Sequence, residues 1–301
     1  MKLESFKGII AATITPNNIN TSDLDNYLSF LREKGVRGVF VLGTMGEGAK
    51  LSSERRKEVA EAYMRRASQD LLRIVHVGTT DQETAINLAR HAEEISADAT
   101  SAIVPYYYRY DAESLANFFS ALGASSKLPL LVYNNPGRQG YQLSVSDIGK
   151  IFELVPAVRG IKDTSGDIDM ITELQSSFGS SHLVACGGDH LLHYAFTIGV
   201  RAHVSSLASI YPELAVGIFR AVEMRDHREA LRIQLAVNRV RRLLRAVGPD
   251  TASYRFALLL RGFDLGPPLP PTRSLREEEK ELLTRGLQPI NRLAEEVGKH
   301  G

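Results

Sequence analysis

A single cysteine, Cys186, stands in a chain of 301 residues. One thiol excludes an internal disulfide framework and a thiolate-held metal cluster. No apolar run reaches the roughly 18 residues that a membrane-spanning helix needs. An excess of either charge is also missing, since 36 Lys and Arg face 35 Asp and Glu for a formal net charge of +1. That balance argues against the basic face of a nucleic-acid binder and against an acidic tail. The opening stretch, residues 1–10, has no apolar segment of a secretory signal before its charges resume. The expectation is a soluble, cytoplasmic protein with neither a nucleic-acid nor a membrane partner.

What is present is alternation. Hydrophobic residues make up 44% and charged residues 24%, an ordinary globular balance. The length suits two domains of about 150 residues or one α/β barrel of roughly 250. Short apolar, β-branched runs start at Gly8, Gly38, Arg73, Ala99, Pro129, Val158, His182 and Ala202, each long enough for a strand covered on both faces. Segments of helical spacing lie between them. Ser52, Asp81, Asp111 and Ser144 stand where helix caps are needed, and Pro212 suits a first helical turn. Eight strand–helix units without a hairpin signal predict an α/β fold of the TIM (β/α)8 type.

From about Arg225 the strand pattern stops. Leu231, Leu235, Val240, Leu243 and Leu244 read as an apolar helical stripe that ends at Gly248-Pro249. A second helix runs from Tyr254 to Leu260, a proline-rich linker follows Gly266, and a last helix starts near Ser274. The division expected is a barrel over residues 1–224 and a helical extension over 225–301 packed upon it. The arginines between Arg220 and Arg245 interleave with Glu223, Asp226 and Glu229, which predicts a solvated helix face or a subunit contact.

Barrel enzymes work at the C-terminal ends of their strands. Lys162 is the most informative residue there, because an ammonium at the end of an apolar strand is costly to bury. Burial that lowers its pKa would supply a neutral amine able to attack a ketone; the alternative is a rim lysine reaching water or pairing with Asp163. Tyr133 ends the preceding strand, where a phenol could relay protons to a centre near Lys162 or simply pack. The glycine-rich turn from Gly43 to Gly48 misses the phosphate-loop spacing, since Ala49 precedes Lys50 and no Ser or Thr follows it. Its exposed backbone N–H groups fit a small carboxylate better, with the Thr44 hydroxyl alongside. Asp189, His190 and His193 could suggest a divalent ion, but no H-E-x-x-H pattern occurs, and the expectation is no metal. The run Tyr106-Tyr107-Tyr108 after Pro105 reads as an active-site rim.

Together Gly43-Thr44-x-Gly46-Glu47, Pro105-Tyr106-Tyr107, Tyr133-Asn134-x-Pro136 and Gly160-Ile161-Lys162-Asp163 resemble the pyruvate-dependent Schiff-base lyases, the superfamily of dihydrodipicolinate synthase and N-acetylneuraminate lyase. The resemblance runs from about Gly8 to Leu214 and more loosely beyond. It implies that Lys162 forms an imine with pyruvate, that Tyr133 shuttles protons, and that Thr44 links Tyr133 to a Tyr107 contributed by a neighbouring subunit. It implies a carboxylate held by the backbone at Thr44-Met45, although the family commonly has Ser or Thr where Met45 stands. Arg138 resembles the arginine that holds the carboxylate of aspartate semialdehyde; its guanidinium fork suits that group. The Gly248–Arg255 region and Ser205-Ser206 look more like the sugar-acid aldolases, with Ser205 a substrate contact. The expected partners are therefore pyruvate and a small aldehyde, or a 2-keto-3-deoxy sugar acid. No cofactor is implied, and the resemblance suggests a homotetramer built as a dimer of dimers.

Overall fold

The computed structural model describes residues 3–249 and 251–299. Eight strands, β1 Gly8–Ala12, β2 Gly38–Val41, β3 Leu72–His76, β4 Ala99–Ile103, β5 Leu130–Asn134, β6 Val158–Asp163, β7 Leu183–Cys186 and β8 Ala202–Ser205, follow one another around a closed barrel. Every neighbouring pair is parallel, and β8 closes the circle on β1 with Gly8 opposite Ala202. The fold is a TIM barrel carrying C-terminal helices, as its sequence pattern predicts.

Helices return the chain between strands. They are α1 Asp23–Glu33, α2 Ser53–Arg66, α3 Gln82–Glu94 and α4 Ala112–Ser125, then the short α5 Pro136–Gln139 with α6 Val145–Leu154, and finally α7 Ile168–Phe178, α8 Leu192–Thr197 and α9 Pro212–Glu223. The predicted caps are in place. Ser52, Asp81 and Asp111 accept from the backbone N–H three residues on, and Ser144 forms a reciprocal capping box with Asp147. Each such cap satisfies a helix donor that would otherwise lack a partner.

Two apolar layers result. The outer one joins alternate strand residues such as Ile9, Val39 and Ile161 to the helices; the inner one fills the barrel with Ile10, Phe40, Leu72, Ile74, Leu131 and Leu183. Leu3 and Phe6 belong to that inner cluster and close the barrel at the end where β1 begins. The site therefore has one open end, where the strands finish.

The extension comprises α10 His227–Ala246, α11 Ala252–Leu260 and α12 Glu277–Lys299. α10 buries Ala230, Ile233, Val237, Val240 and Leu244. The predicted apolar stripe holds at Val240 and Leu244 but not at its start: Leu231 and Leu235 lie about half exposed, roughly 100° around the helix from the face that packs. The extension is tied to the barrel through Glu47. Its Oε1 accepts from Lys50 Nζ (2.7 Å), Thr251 Oγ1 (2.8 Å) and Leu269 N (3.2 Å), and its Oε2 accepts from Arg255 Nε (2.9 Å) and Nη2 (2.6 Å). No helix is long and apolar enough to cross a membrane among the described residues.

Candidate active site

Lys162 reaches the barrel interior because β6 carries a bulge. Leu130 pairs with Val158 but Leu131 pairs with Gly160, so Arg159 is an extra residue. Strict alternation from the outward Val158 would have turned Lys162 outward; the bulge shifts the phase and turns it in. Gly160 precedes it on the inner face because there is no space for a side chain. A Cβ there would lie 2.4 Å from the Leu183 carbonyl oxygen.

The Lys162 ammonium sits 3.9 Å from the ring centroid of Tyr133 and 4.1 Å from that of Phe40. Tyr133 is its register partner on β5. His76 stands edge-on to Tyr133 and accepts at Nε2 from the Ile103 amide. Burial lowers the His76 pKa well below its usual value, with the Arg56 and Lys162 charges pushing the same way, so its ring is neutral at neutral pH. Lys162 is 4% exposed and has no carboxylate at ion-pair distance among the described residues. Burial lowers its pKa, and the attraction of Tyr133 and Asp189 only partly offsets that. Asp163, the alternative partner read from the sequence, faces the other way, accepting from Asn134 Nδ2 (2.7 Å) and Ser165 Oγ (2.6 Å).

Burial alone would raise the Tyr133 pKa, but the Lys162 charge and the hydrogen bonds of Thr44 and Asn135 outweigh it and lower it. The Thr44 hydroxyl lies 3.2 Å from the phenol oxygen, and Asn135 Nδ2 donates to that oxygen at 2.8 Å. Thr44 and Tyr133 stand on β2 and β5 ends that are not neighbours, so this contact crosses the mouth of the barrel. The Gly43–Gly48 turn is closed by Glu47 N and Gly48 N, whereas the backbone N–H groups of Thr44 and Met45 make no hydrogen bond among the described residues. Both residues border the cavity.

That cavity, about 670 Å³, is lined by Thr44, Met45, Tyr133, Arg138 and Lys162. Five of the seven residues singled out in the sequence therefore meet in one space. The other two do not. Ser205 points outward, fully buried, accepting from the Ala208 amide, and Ser206 lines the cavity instead. Tyr107 is 86% exposed, its ring meeting Tyr108 outside the cavity, and its φ of 81° is unusual for a tyrosine.

Sequence reasoning missed four wall residues that matter. Asn135 fixes the phenol of Tyr133, and Thr164 presents a buried hydroxyl without a partner. Arg241, partly buried, and Arg245, exposed, also border the cavity from α10; the charge run expected to be a solvated face or a subunit contact thus brings two members to the cavity. The i, i+4 spacing of the pair was the available signal. Asp189 lies between β7 and β8. Its Oδ2 accepts from Ser206 Oγ (2.6 Å) and Leu207 N (3.0 Å), and its Oδ1 is 3.4 Å from His203 Nε2. No cluster of three or more metal-ligating side chains occurs among the described residues.

The dihydrodipicolinate synthetase family model matches residues 5–290. A 4-hydroxy-tetrahydrodipicolinate synthase of Methanopyrus kandleri is 30% identical, covering 96% of this chain and 98% of its own. The dihydrodipicolinate synthase structure from Bacillus anthracis aligns with a TM-score of 0.89 at 26% identity, over 96% of this chain and 99% of that one. The wild-type sialic acid aldolase of Ruminococcus gnavus aligns with a TM-score of 0.90, also at 26% identity, over 97% of this chain and 98% of that one. The chain belongs to the dihydrodipicolinate synthetase family of lyases and aldolases.

Proposed function

We propose that the chain is a pyruvate-dependent lyase acting through a Schiff base on Lys162. The observation that carries this reading is a buried lysine amine, lowered in pKa, beside a phenol that is itself hydrogen-bonded to a hydroxyl. The neutral Nζ attacks C2 of pyruvate, and the ketone oxygen takes a proton from Tyr133. Nitrogen then loses a proton, water leaves and the imine forms. Loss of a methyl proton gives the enamine, whose carbon attacks the aldehyde carbon of the second substrate. Tyr133 and Thr44 relay the protons these steps need, and hydrolysis of the imine frees Lys162. The unbonded N–H groups of Thr44 and Met45 hold the pyruvate carboxylate. Reversal of the same steps cleaves a 2-keto acid.

The condensing partner in this reading is an aldehyde such as aspartate semialdehyde, its carboxylate held by Arg138 at the cavity rim. A 2-keto-3-deoxy-gluconate-type sugar-acid aldolase is the second reading. It is favoured by the hydroxyls of Ser165, Ser206 and Tyr254 along the same wall, which suit a polyhydroxylated chain. The exposed Tyr107 supports a homotetramer of paired dimers in which that phenol enters a neighbour's site and meets its Thr44.

The test is borohydride reduction in the presence of pyruvate, followed by peptide mass spectrometry. A pyruvate-dependent adduct on the Lys162 peptide, absent in Lys162→Ala, is expected. No adduct under conditions that trap another imine enzyme refutes the reading. Arg138→Ala should then raise KM for aspartate semialdehyde selectively, and an unchanged kcat/KM would remove Arg138 from that role.

A further inference from the structure

The cavity is more cationic than a single carboxylate requires. Besides Lys162 and Arg138, Arg241 and Arg245 line it from α10. Four residues apart, they stand on one face of the helix, one turn from each other. Like charges so placed repel, and burial and Arg245 both push the Arg241 pKa down. Among the described residues neither guanidinium has a hydrogen bond or an ion pair. Among the described residues Asp189 is the one carboxylate on the cavity wall; it attracts Arg241, while its own Oδ2 accepts from Ser206 and Leu207. His190, which also lines the space, is shifted toward its neutral form by burial and then by Arg241 and Arg245. Among the described residues no carboxylate lies at ion-pair distance from either guanidinium.

We propose that Arg241 and Arg245 form a second anion subsite, taking a phosphate-sized group at the end of the aldehyde substrate remote from its reacting carbon. The assignment of that substrate end rests on the Schiff-base reading above. Two guanidinium forks one helical turn apart can each give paired N–H donors to different oxygens of one tetrahedral anion. A carboxylate has two oxygens and one charge, and Arg138 already supplies a fork for it. The partially desolvated setting of Arg241 strengthens each charge-assisted bond relative to one in water.

Binding of inorganic phosphate, followed by titration calorimetry, tests the subsite without any turnover. Saturable binding is expected in the unmodified protein, weakened at least tenfold in Arg241→Gln and in Arg245→Gln. Arg242→Gln is the control: Arg242 is exposed on the same helix and outside the cavity lining, so binding should persist. Equal weakening in all three variants, or no binding in the unmodified protein, overturns the proposal. Acetate as the probe separates the two anion chemistries, and tighter binding of acetate than phosphate overturns the phosphate assignment. With pyruvate as the donor, kcat/KM for glyceraldehyde 3-phosphate should exceed that for glyceraldehyde at least tenfold, and the ratio should collapse in Arg241→Gln. Borohydride trapping keeps the two readings separate. An imine with no phosphate binding defeats the subsite alone. Phosphate binding with no imine defeats the Schiff-base reading while the subsite stands.

Discussion

Replacing Glu47 by Gln should be among the most damaging isosteric changes in this chain. The Glu47 side chain is 1% exposed and that of Arg255 3%. The carboxylate accepts five hydrogen bonds from four residues. An amide keeps the volume but presents an NH2 group to donors and leaves the Arg255 charge without its counter-ion. Breaking a buried pair from one side costs about 3–5 kcal/mol. With about 2.1 cal/mol/K of unfolding entropy per residue, the 301 residues change stability by about 0.6 kcal/mol per degree near Tm. Glu47→Gln should therefore lower Tm by about 5–8 °C, read by scanning calorimetry. Removing both partners discards the stranded charge, so Glu47→Gln/Arg255→Gln should lose less than the sum of the single variants. A Tm shift under about 2 °C, or strict additivity in the cycle, refutes the reasoning. The Glu47 amide also donates to the Thr44 carbonyl (3.1 Å), so the change should lower activity at temperatures where the protein remains folded.

Three other outcomes follow from the site. Tyr133→Phe removes the hydroxyl that meets Thr44 and Asn135 and should lower kcat by about 10²–10⁴-fold; an unchanged kcat would dismiss the proton relay. The rate of pyruvate imine formation should rise with pH through a midpoint below the ordinary lysine value of 10.5, because burial lowers the Lys162 pKa; a midpoint at or above 10.5 contradicts the buried amine. Asp189 bears on acid stability. Burial would raise its pKa, but His203, Ser205 and Ser206 outweigh that and bring it from 3.8 to about 2. A lowered folded-state value adds stability above pH 3.8 that is lost as pH falls through about 2. Urea titrations between pH 5 and pH 2 should show Asp189→Asn losing about 2 kcal/mol less than the unmodified protein, and parallel curves would place the effect elsewhere.

The strands were legible because each is covered on both faces, so an apolar run marks it without any need to know which side is inside. The site depends on that second fact. Lys162 enters the barrel only because Arg159 is an extra residue in β6, and nothing in Val158-Arg-Gly-Ile-Lys162 announces a bulge except the glycine. On β8, where no bulge intervenes, Val204 faces inward and Ser205 outward, and Ser206, just beyond the strand, lines the cavity; Ser205-Ser206 reads the same in either phase, so the sequence does not say which serine borders the site.

The same ambiguity governs α10. Leu231 and Leu235 look like a packing stripe because leucine dominates any apolar pattern, yet the buried face there is carried by Ala230, Ile233, Gln234 and Val237, which pack against α8, α9 and α12. Turning the helix by one position exchanges solvent for core. It also brings Arg241 and Arg245 to the edge of the cavity. A guanidinium in a sequence carries its charge openly but not its surroundings, and only the packing of α10 against the barrel decides whether that charge borders the cavity. The motifs at Thr44, Tyr133 and Lys162 escape this ambiguity because they end strands, and strand ends in a closed parallel barrel have one shared destination.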